Sequence, residues 1–458
     1  MANVVLECPS RQPIWILLSR LLCHRLEFDA CVLSHSVLET FAATLDPLVD
    51  SVVAKISPHC PFPLIRPQLS LPGHLGGADL LPAFDAILCA PFASLLQFFP
   101  IVCNTLRSMQ LAHAIPFIDR FAIRESAQLF HDRAADPSTI LGTPIDIEAD
   151  FVVSVTKAYG RLIGFCAERR LHTLLANSNP TDAARILSCG GPGNGEWLRD
   201  SVSNTTQGFI DTHFLIALRW RLGCSIIPSS VATCCHQYAT APFRACGRPF
   251  DTFGNHSVMC NIGGGPTLLL HNPIANLTCS FLQSAGFDAR REISIPEYTQ
   301  ERTIRHHDGT TTTDTVDGVV DVLGWHMVLG EYLLDVAVRH PLAQRVAHKA
   351  STCPGHAALQ GETDKHSRYP DRSGRRIVPL AIETFGRIGS EFNEWLLTLS
   401  SAARAQDRSL GLAGGRHLSK WRLQLSTAVY KGIAKTLEDS YTLCKGTGDA
   451  LLHRTAVI

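Results

Sequence analysis

The chain has 458 residues, 45% hydrophobic and 18% charged, and its 41 basic and 41 acidic side chains cancel to zero formal charge. This composition excludes an intrinsically disordered chain, and the length leaves room for two or three cores. The charge balance excludes nucleic-acid binding through bulk charge alone, so any such function needs local basic residues.

Residues 1–60 read as helical, with apolar spacing through Leu17, Leu21 and Leu22 and again through Val37, Leu38, Phe41 and Leu45. Ile14–Leu18 is too short for a signal segment and lacks a small-residue cleavage context. The 16 cysteines are therefore expected as reduced thiols in an intracellular protein. Pro58-His59-Cys60-Pro61-Phe62-Pro63 reads as a linker, and Leu71–Leu80 as a Gly-rich turn, not a phosphate cradle. The apolar stretch Leu80–Val102 carries Asp85 and three prolines, which predicts a buried helical pair in preference to a membrane span. From Asp150, the residues Phe151, Val152, Val155, Tyr159, Leu162, Ile163 and Cys166 form one apolar helical stripe. Ser188–Gly195 breaks the helical character, and a helix from Phe214 to Leu222 ends at Gly223.

The texture then changes to β-branched runs, Gly/Pro turns and clustered Cys/His. The expected fold class is α+β and multidomain: a helical region over 1–225, a Cys/His segment over 226–275, a mixed α/β core over 276–400 and helices over 401–458. In the last of these, Trp421, Leu425, Val429, Ile433 and Leu437 recur at four-residue spacing.

Two groups of residues carry chemistry. Cys246, His256 and Cys260 are separated by nine and three residues, and thiolate and imidazole are the ligands zinc prefers. A close Cys-x2-Cys partner would fall at Phe243, so the fourth ligand must come from Cys235, Cys234 or His236, with Cys235 as the working choice. The same residues also fit ordinary buried cysteines beside a surface histidine. The second group lies on two strand-like runs, Val319–Leu323 with Asp321 and Leu333–Val338 with Asp335, joined by a turn over 324–331. Side-chain alternation lets the two carboxylates meet on one side, where paired acids can hold Mg²⁺. Acids often merely end strands, but one embedded between Val320 and Val322 would be a costly unpaired charge. Asp314 and Asp317 rank lower because Gly309–Thr315 reads as exposed loop, and His306-His307 suggest no geometry. Lys365 and Tyr369 would share one face of a helix running from Glu362 to just before Pro370. The lysine could orient a water and offset phosphate charge, with a solvated surface lysine as the ordinary alternative. Glu292 is a candidate third acid.

In order, these features resemble the C-terminal part of the polyproteins of non-LTR retrotransposons that carry a restriction-like endonuclease, the R2-like class. The resemblance rests on Leu71-Pro72 with Gly76-Gly77 and Leu80, Gly191-Pro192-Gly193 with Trp197-Leu198, and Ala217–Gly223. It continues through Cys246-Gly247, Gly254-Asn255-His256, Cys260 and His271-Asn272 to Asp321 and Asp335, with thirteen residues between them. Lys365-x3-Tyr369 and Pro379–Gly386 complete it, so it spans residues 65–440. Val320 stands where the family has a proline, Ala337 where related nucleases have a lysine, and Leu270 where an arginine usually precedes His271. The resemblance implies a zinc knuckle followed by a PD-(D/E)xK nuclease core. It also implies Mg²⁺ on Asp321 and Asp335 with the Val336 carbonyl as a further ligand, catalysis by Lys365, and support from Tyr369. Its implied partners are target DNA and element RNA, without a membrane, and its implied place is the nucleus. No Tyr-x-Asp-Asp polymerase motif occurs, so this chain would contribute only the nick that primes reverse transcription. The alternative function is a catalytically decayed, zinc-stabilised nucleic-acid-binding remnant.

Overall fold

The computed structural model describes residues 10–23, 35–58, 60–113, 121–142, 157–199, 209–228, 233–237, 245–260, 262, 267–305, 311–371, 375 and 377–445. The expected helix start at Asp150 with Phe151, Val152 and Val155, and the His306-His307 pair, lie outside them. The chain forms two compact units, Met1–Asn177 and Ser178–Ile458.

The first unit is helical: α1 (Arg11–Leu17), α2 (His35–Ile56), α3 (Phe62–Leu69), α4 (Ala83–Ser108), α5 (Phe121–Arg133), α6 (Pro137–Leu141) and α7 (Ala158–Ala176). Its core joins Phe92, Leu96 and Phe99 of α4 to Phe130 of α5, Leu141 of α6 and Leu162 of α7. Two expectations change here. The linker expected at 58–63 gives way to α3 from Phe62 onward, because Pro63 sits in the first turn, where its missing N–H is no loss. The expected helical pair at 80–102 is the single helix α4, with Pro91 and Pro100 inside it. By length and composition alone α4 could cross a membrane, and 61% of its most apolar window is covered by protein. The Gly-rich turn closes on itself: Gln68 Nε2 donates to the Gly76 carbonyl at 2.9 Å, and Asp79 Oδ1 accepts the Gly73 N–H at 3.0 Å.

The second unit begins with α8 (Pro180–Ser188) and α9 (Asp211–Leu222), so the unit boundary falls at 177/178 and not near 225. After α10 (Asn255–Met259) and α11 (Asn272–Ser284) come β1 (Asp288–Ser294), β2 (Gln300–Arg305), β3 (Thr311–Val316), β4 (Val319–His326) and β5 (Gly330–Arg339). Then follow α12 (Ala347–Ala350), α13 (His356–Arg368), β6 (Ile377–Glu383), α14 (Ser390–Ser409) and α15 (His417–Lys445). A mixed four-stranded sheet has the order β1-β4-β5-β6, antiparallel except for the β5–β6 pair, while β2 and β3 pair separately. The expected loop at 309–315 is therefore largely strand, and the β4–β5 turn is shorter than 324–331. Strand β5 is buried on both faces from Leu333 to Ala337, as a strand with a parallel neighbour and helices on each side should be. On one face Gly324 meets Leu282 of α11 and Tyr332 meets Trp395 of α14; on the other, Ala337 and Ala381 meet Ala358 and Gly361 of α13. The expected C-terminal stripe holds: Trp421, Leu425, Val429, Ile433 and Leu437 are all buried along α15.

Just after β6, the chain turns with no sheet partner for its carbonyls. Remote side chains satisfy them. Trp220 Nε1 donates to the Thr384 carbonyl at 3.3 Å, and the Phe385 carbonyl accepts from Asn194 Nδ2 and the Tyr430 hydroxyl, each at 2.8 Å. Asn194 also donates to the Ser188 and Gly190 carbonyls, and fully buried Arg221 donates to the Tyr430 oxygen at 2.6 Å. Trp220 stacks on Phe385 and Trp197 on Tyr430, each pair with centroids 4.5 Å apart. Gly386 has φ 95°, and a Cβ there would collide with the Asn194 amide. Trp197, Trp220 and Arg221 are thereby built into the sheet-bearing unit, which is why its boundary lies before them.

Asn194→Ala should destabilise the protein by about 2–4 kcal/mol, because it strips several buried carbonyls of one donor. Urea unfolding followed by tryptophan fluorescence measures this, and an unchanged midpoint would show that the hub is not needed.

Candidate functional site

The Cys/His segment folds as a short irregular hairpin. The Cys234 N–H donates to the Arg248 carbonyl and the Gly247 N–H to the Cys234 carbonyl, which places Cys234 across from Cys246. Gly254 then starts α10, and Asp251 holds the N–H groups of Asn255 and His256 at 3.0 and 2.8 Å. As a result Cys234, Cys246, His256 and Cys260 offer ligand atoms that all lie within 4.8 Å of one another. Cys234 Sγ is 3.9 Å from Cys260 Sγ, and Cys246 Sγ is 3.5 Å from His256 Nε2. A tetrahedral ion with bonds of about 2.1–2.3 Å needs donor separations of roughly 3.5–3.8 Å, so this cluster could bind a metal such as zinc. Burial pushes the Cys234 thiol up to about 12 and raises Cys260 as well, and burial lowers the His256 pKa. A cation would reverse the effect on the thiols.

The working choice of Cys235 is corrected. Neighbouring residues on an extended strand point to opposite sides, so Cys234 takes the place and Cys235 turns away. The Cys235 N–H meets Cys444 Sγ at 3.3 Å, and its own thiol lies against the Thr233 carbonyl. His236 is likewise engaged elsewhere, with Nε2 3.0 Å from Ser440 Oγ.

The acids come together through register. Val322 pairs with Leu334 at the last rung of the β4–β5 ladder, so the next positions, Asp321 and Asp335, face each other on one side of the sheet. There the ladder opens. Val336 pairs with Leu380 of β6, and its N–H goes to Asp321 Oδ2 at 2.7 Å. The Asp321 and Asp335 carboxylates are close enough to act on each other's ionisation. Asp335 Oδ2 lies 2.6 Å from Lys365 Nζ, and the Asp335 side chain is only 4% exposed. Burial drives the Asp335 pKa up from 3.8 to about 7; Lys365 opposes this and Asp321 adds to it. Burial also works against ionisation of Asp321, but hydrogen bonds from His271 and Asp335 hold it below the usual carboxylate range. The two carboxylates oppose each other's ionisation, which adds to the rise at Asp335.

Lys365 reaches Asp335 because α13 lies close against the sheet. Ala358 and Gly361 of α13 pack on Ala337 and Ala381, and Lys365 is on the same helical face. Ala337 is 2% exposed in this contact. A long side chain there would push α13 away. The short residue lets the helix bring a lysine from another position.

Tyr369 and Glu292 differ from expectation. Helix α13 begins six residues before Glu362 and ends at Arg368, so Tyr369 leaves it with φ −128°. Its hydroxyl donates to the Val319 carbonyl at 2.9 Å, and burial pushes its pKa up to about 12. Tyr369 thus steadies the start of β4 and does not face the acids through its hydroxyl. Glu292 would face Asp321 by register, since Arg291 pairs with Val322 and Ile293 with Val320. A left-handed φ of 55° takes it out of the ladder, and its carboxylate is 69% exposed, 3.6 Å from Arg291.

His271 was given no role by the sequence reading. Its Nε2 is 3.1 Å from Asp321 Oδ2, and its Nδ1 is 3.1 Å from Asn272 Oδ1. The Asp321 hydrogen bond raises its pKa above the ordinary value. A polar His-Asn pair directly after the apolar run Leu268–Leu270 was the available signal, but spacing alone could not link it to an acid fifty residues on.

With its pKa raised, Asp335 keeps a proton in the folded chain where the unfolded chain has lost it, so this group makes stability fall from about pH 4 to about pH 7. Asp335→Asn removes that slope. In EDTA its melting temperature should gain steadily on the parent's across this window, whereas a constant difference at every pH would rule out the raised Asp335 pKa. No protein-family model matches the chain, and no curated protein matches it.

Proposed function

We propose that this chain is a divalent-metal-dependent DNA endonuclease of the restriction-like kind found in non-LTR retrotransposons. The observation that carries the reading is the convergence of Asp321, Asp335 and Lys365, from the two central strands of a mixed sheet and a separate helix packed on it. Two adjacent carboxylates that cannot both ionise alone form a hard, oxygen-rich donor set of the kind Mg²⁺ and Mn²⁺ take. Asp321 and Asp335 would hold the ion. When bound, it would supply Lewis-acid polarisation of a phosphodiester and a more acidic water. Lys365 would orient that water and offset charge building on the phosphate. The Cys234, Cys246, His256 and Cys260 cluster would hold structural zinc, because two or more thiolates with imidazole suit that ion.

A second reading also has an observation in its favour. Lys365 is already spent on Asp335 at 2.6 Å, and on this reading the group is a self-neutralised relic whose remaining task is to bind nucleic acid. Nicking of supercoiled plasmid separates the two. The parent should cut with Mg²⁺ and not with EDTA, Lys365→Ala should lower the rate by roughly a hundredfold, and Asp321→Asn by at least as much. Unchanged nicking in both variants would reject the site, and DNA binding without cutting would favour the relic.

Elemental analysis tests the zinc assignment. The parent should carry about one zinc per chain, Cys234→Ser should lose most of it, and Cys235→Ser should keep it. Loss in Cys235→Ser alone would overturn the ligand set.

A further inference from the structure

Each acid in the pair has its own nitrogen partner, drawn from a different element. Lys365 of α13 meets Asp335, and His271, at the entry to α11, meets Asp321. The two contacts differ in one respect. Asp321 Oδ2 has a second partner besides His271 Nε2 at 3.1 Å, the Val336 N–H at 2.7 Å. A carboxylate oxygen has about two in-plane lone-pair positions, so this atom is fully used. Oδ1 is the atom left to face Asp335, and the one through which Asp321 can take a cation.

The imidazole is itself held. Its Nδ1 meets Asn272 Oδ1 at 3.1 Å, and its side chain is 26% exposed. Helix α11 begins at Asn272 and packs on β1 and β4, so the ring is tied to the same sheet that carries Asp321.

We infer that His271 is a positioning residue that locks the Asp321 carboxylate by its Oδ2, so that Oδ1 alone is presented to a divalent cation. This rests on the nuclease reading for its substrate, but not for its geometry. It assigns His271 a task distinct from that of Lys365. Loss of His271 should loosen metal capture, whereas loss of Lys365 should slow the chemical step with little change in metal capture.

The test uses the full chain with its zinc retained, and the variants His271→Ala and His271→Gln. The glutamine amide can donate to Asp321 Oδ2 from nearly the position of the imidazole Nε2. Calorimetric titration with Mn²⁺ and the Mg²⁺ dependence of plasmid nicking are the two readouts. The expected result for His271→Ala is an increase of roughly tenfold or more in both the Mn²⁺ dissociation constant and the Mg²⁺ half-saturation, in the range typical of lost outer contacts to a metal ligand. His271→Gln should recover to within about threefold of the parent. If His271→Ala does not fold, His271→Gln still decides, because metal affinity near the parent's supports the donor role and a full loss overturns it. Parent-like metal dependence in His271→Ala overturns the inference, as does equal impairment of both variants. If the parent binds Mn²⁺ at this site but cuts nothing, the nuclease reading fails while the Mn²⁺ arm still judges His271. A parent that neither binds nor cuts overturns both.

Discussion

Two carbonyl groups, those of Thr384 and Phe385, set the terms for the sheet-bearing unit. They follow the last strand directly, lie in the interior and have no ladder to join. A buried carbonyl without a donor costs as much as a lost hydrogen bond, so donors must be brought from elsewhere. They come from Asn194, Trp220 and Tyr430, with Arg221 bonded to the Tyr430 oxygen. Three segments distant in sequence are thereby pinned behind one turn. The front of the same sheet is then free to carry charge.

At that front the balance is different. Asp321, Asp335, Lys365 and His271 form a group in which every charge has a partner but the two acids still press on each other. A core built for stability would replace such a group with apolar side chains of similar size. Its retention in a well-packed sheet is what a functional site looks like in energetic terms, where local cost is tolerated for chemistry. The Cys/His cluster poses the same problem in softer atoms: thiols drawn together, two of them buried, in a group that could bind a metal.

Much of this was legible in the residues, and the limits are physical. Strand alternation and the apolar setting of Asp321 and Asp335 were enough to place them together, because register in a two-residue period leaves few choices. The four-residue stripe of α15 was equally plain. Cys234 against Cys235 was not, since adjacent residues differ only in which side of a strand they face, and that depends on a hairpin whose register no local pattern announces. Tyr369 was misplaced because the end of α13 is decided by tertiary packing, and Glu292 because one left-handed residue removed it from its rung. His271 could be quoted as a motif but not given a partner, for nothing local joins it to Asp321. The first unit boundary was drawn late because helices α8 and α9 carry no mark of belonging to a sheet; only the carbonyls they serve reveal it.

Two buried glutamates have a consequence for how the site can move. Glu383, at the end of β6, accepts the Ala358 N–H at the start of α13, and Glu362, within α13, accepts the Glu391 N–H and the Ser390 hydroxyl at the start of α14. Sheet, lysine helix and α14 are therefore linked in series, α13 capped by a carboxylate of β6 and α14 by one of α13. Fraying α13 would uncap α14, and displacing β6 would uncap α13. In amide exchange these three elements should behave as one cooperative opening unit with a shared protection level, not as helices that breathe one by one. Lys365 could then leave Asp335 by rotating its own side chain, while the backbone beneath it stays closed.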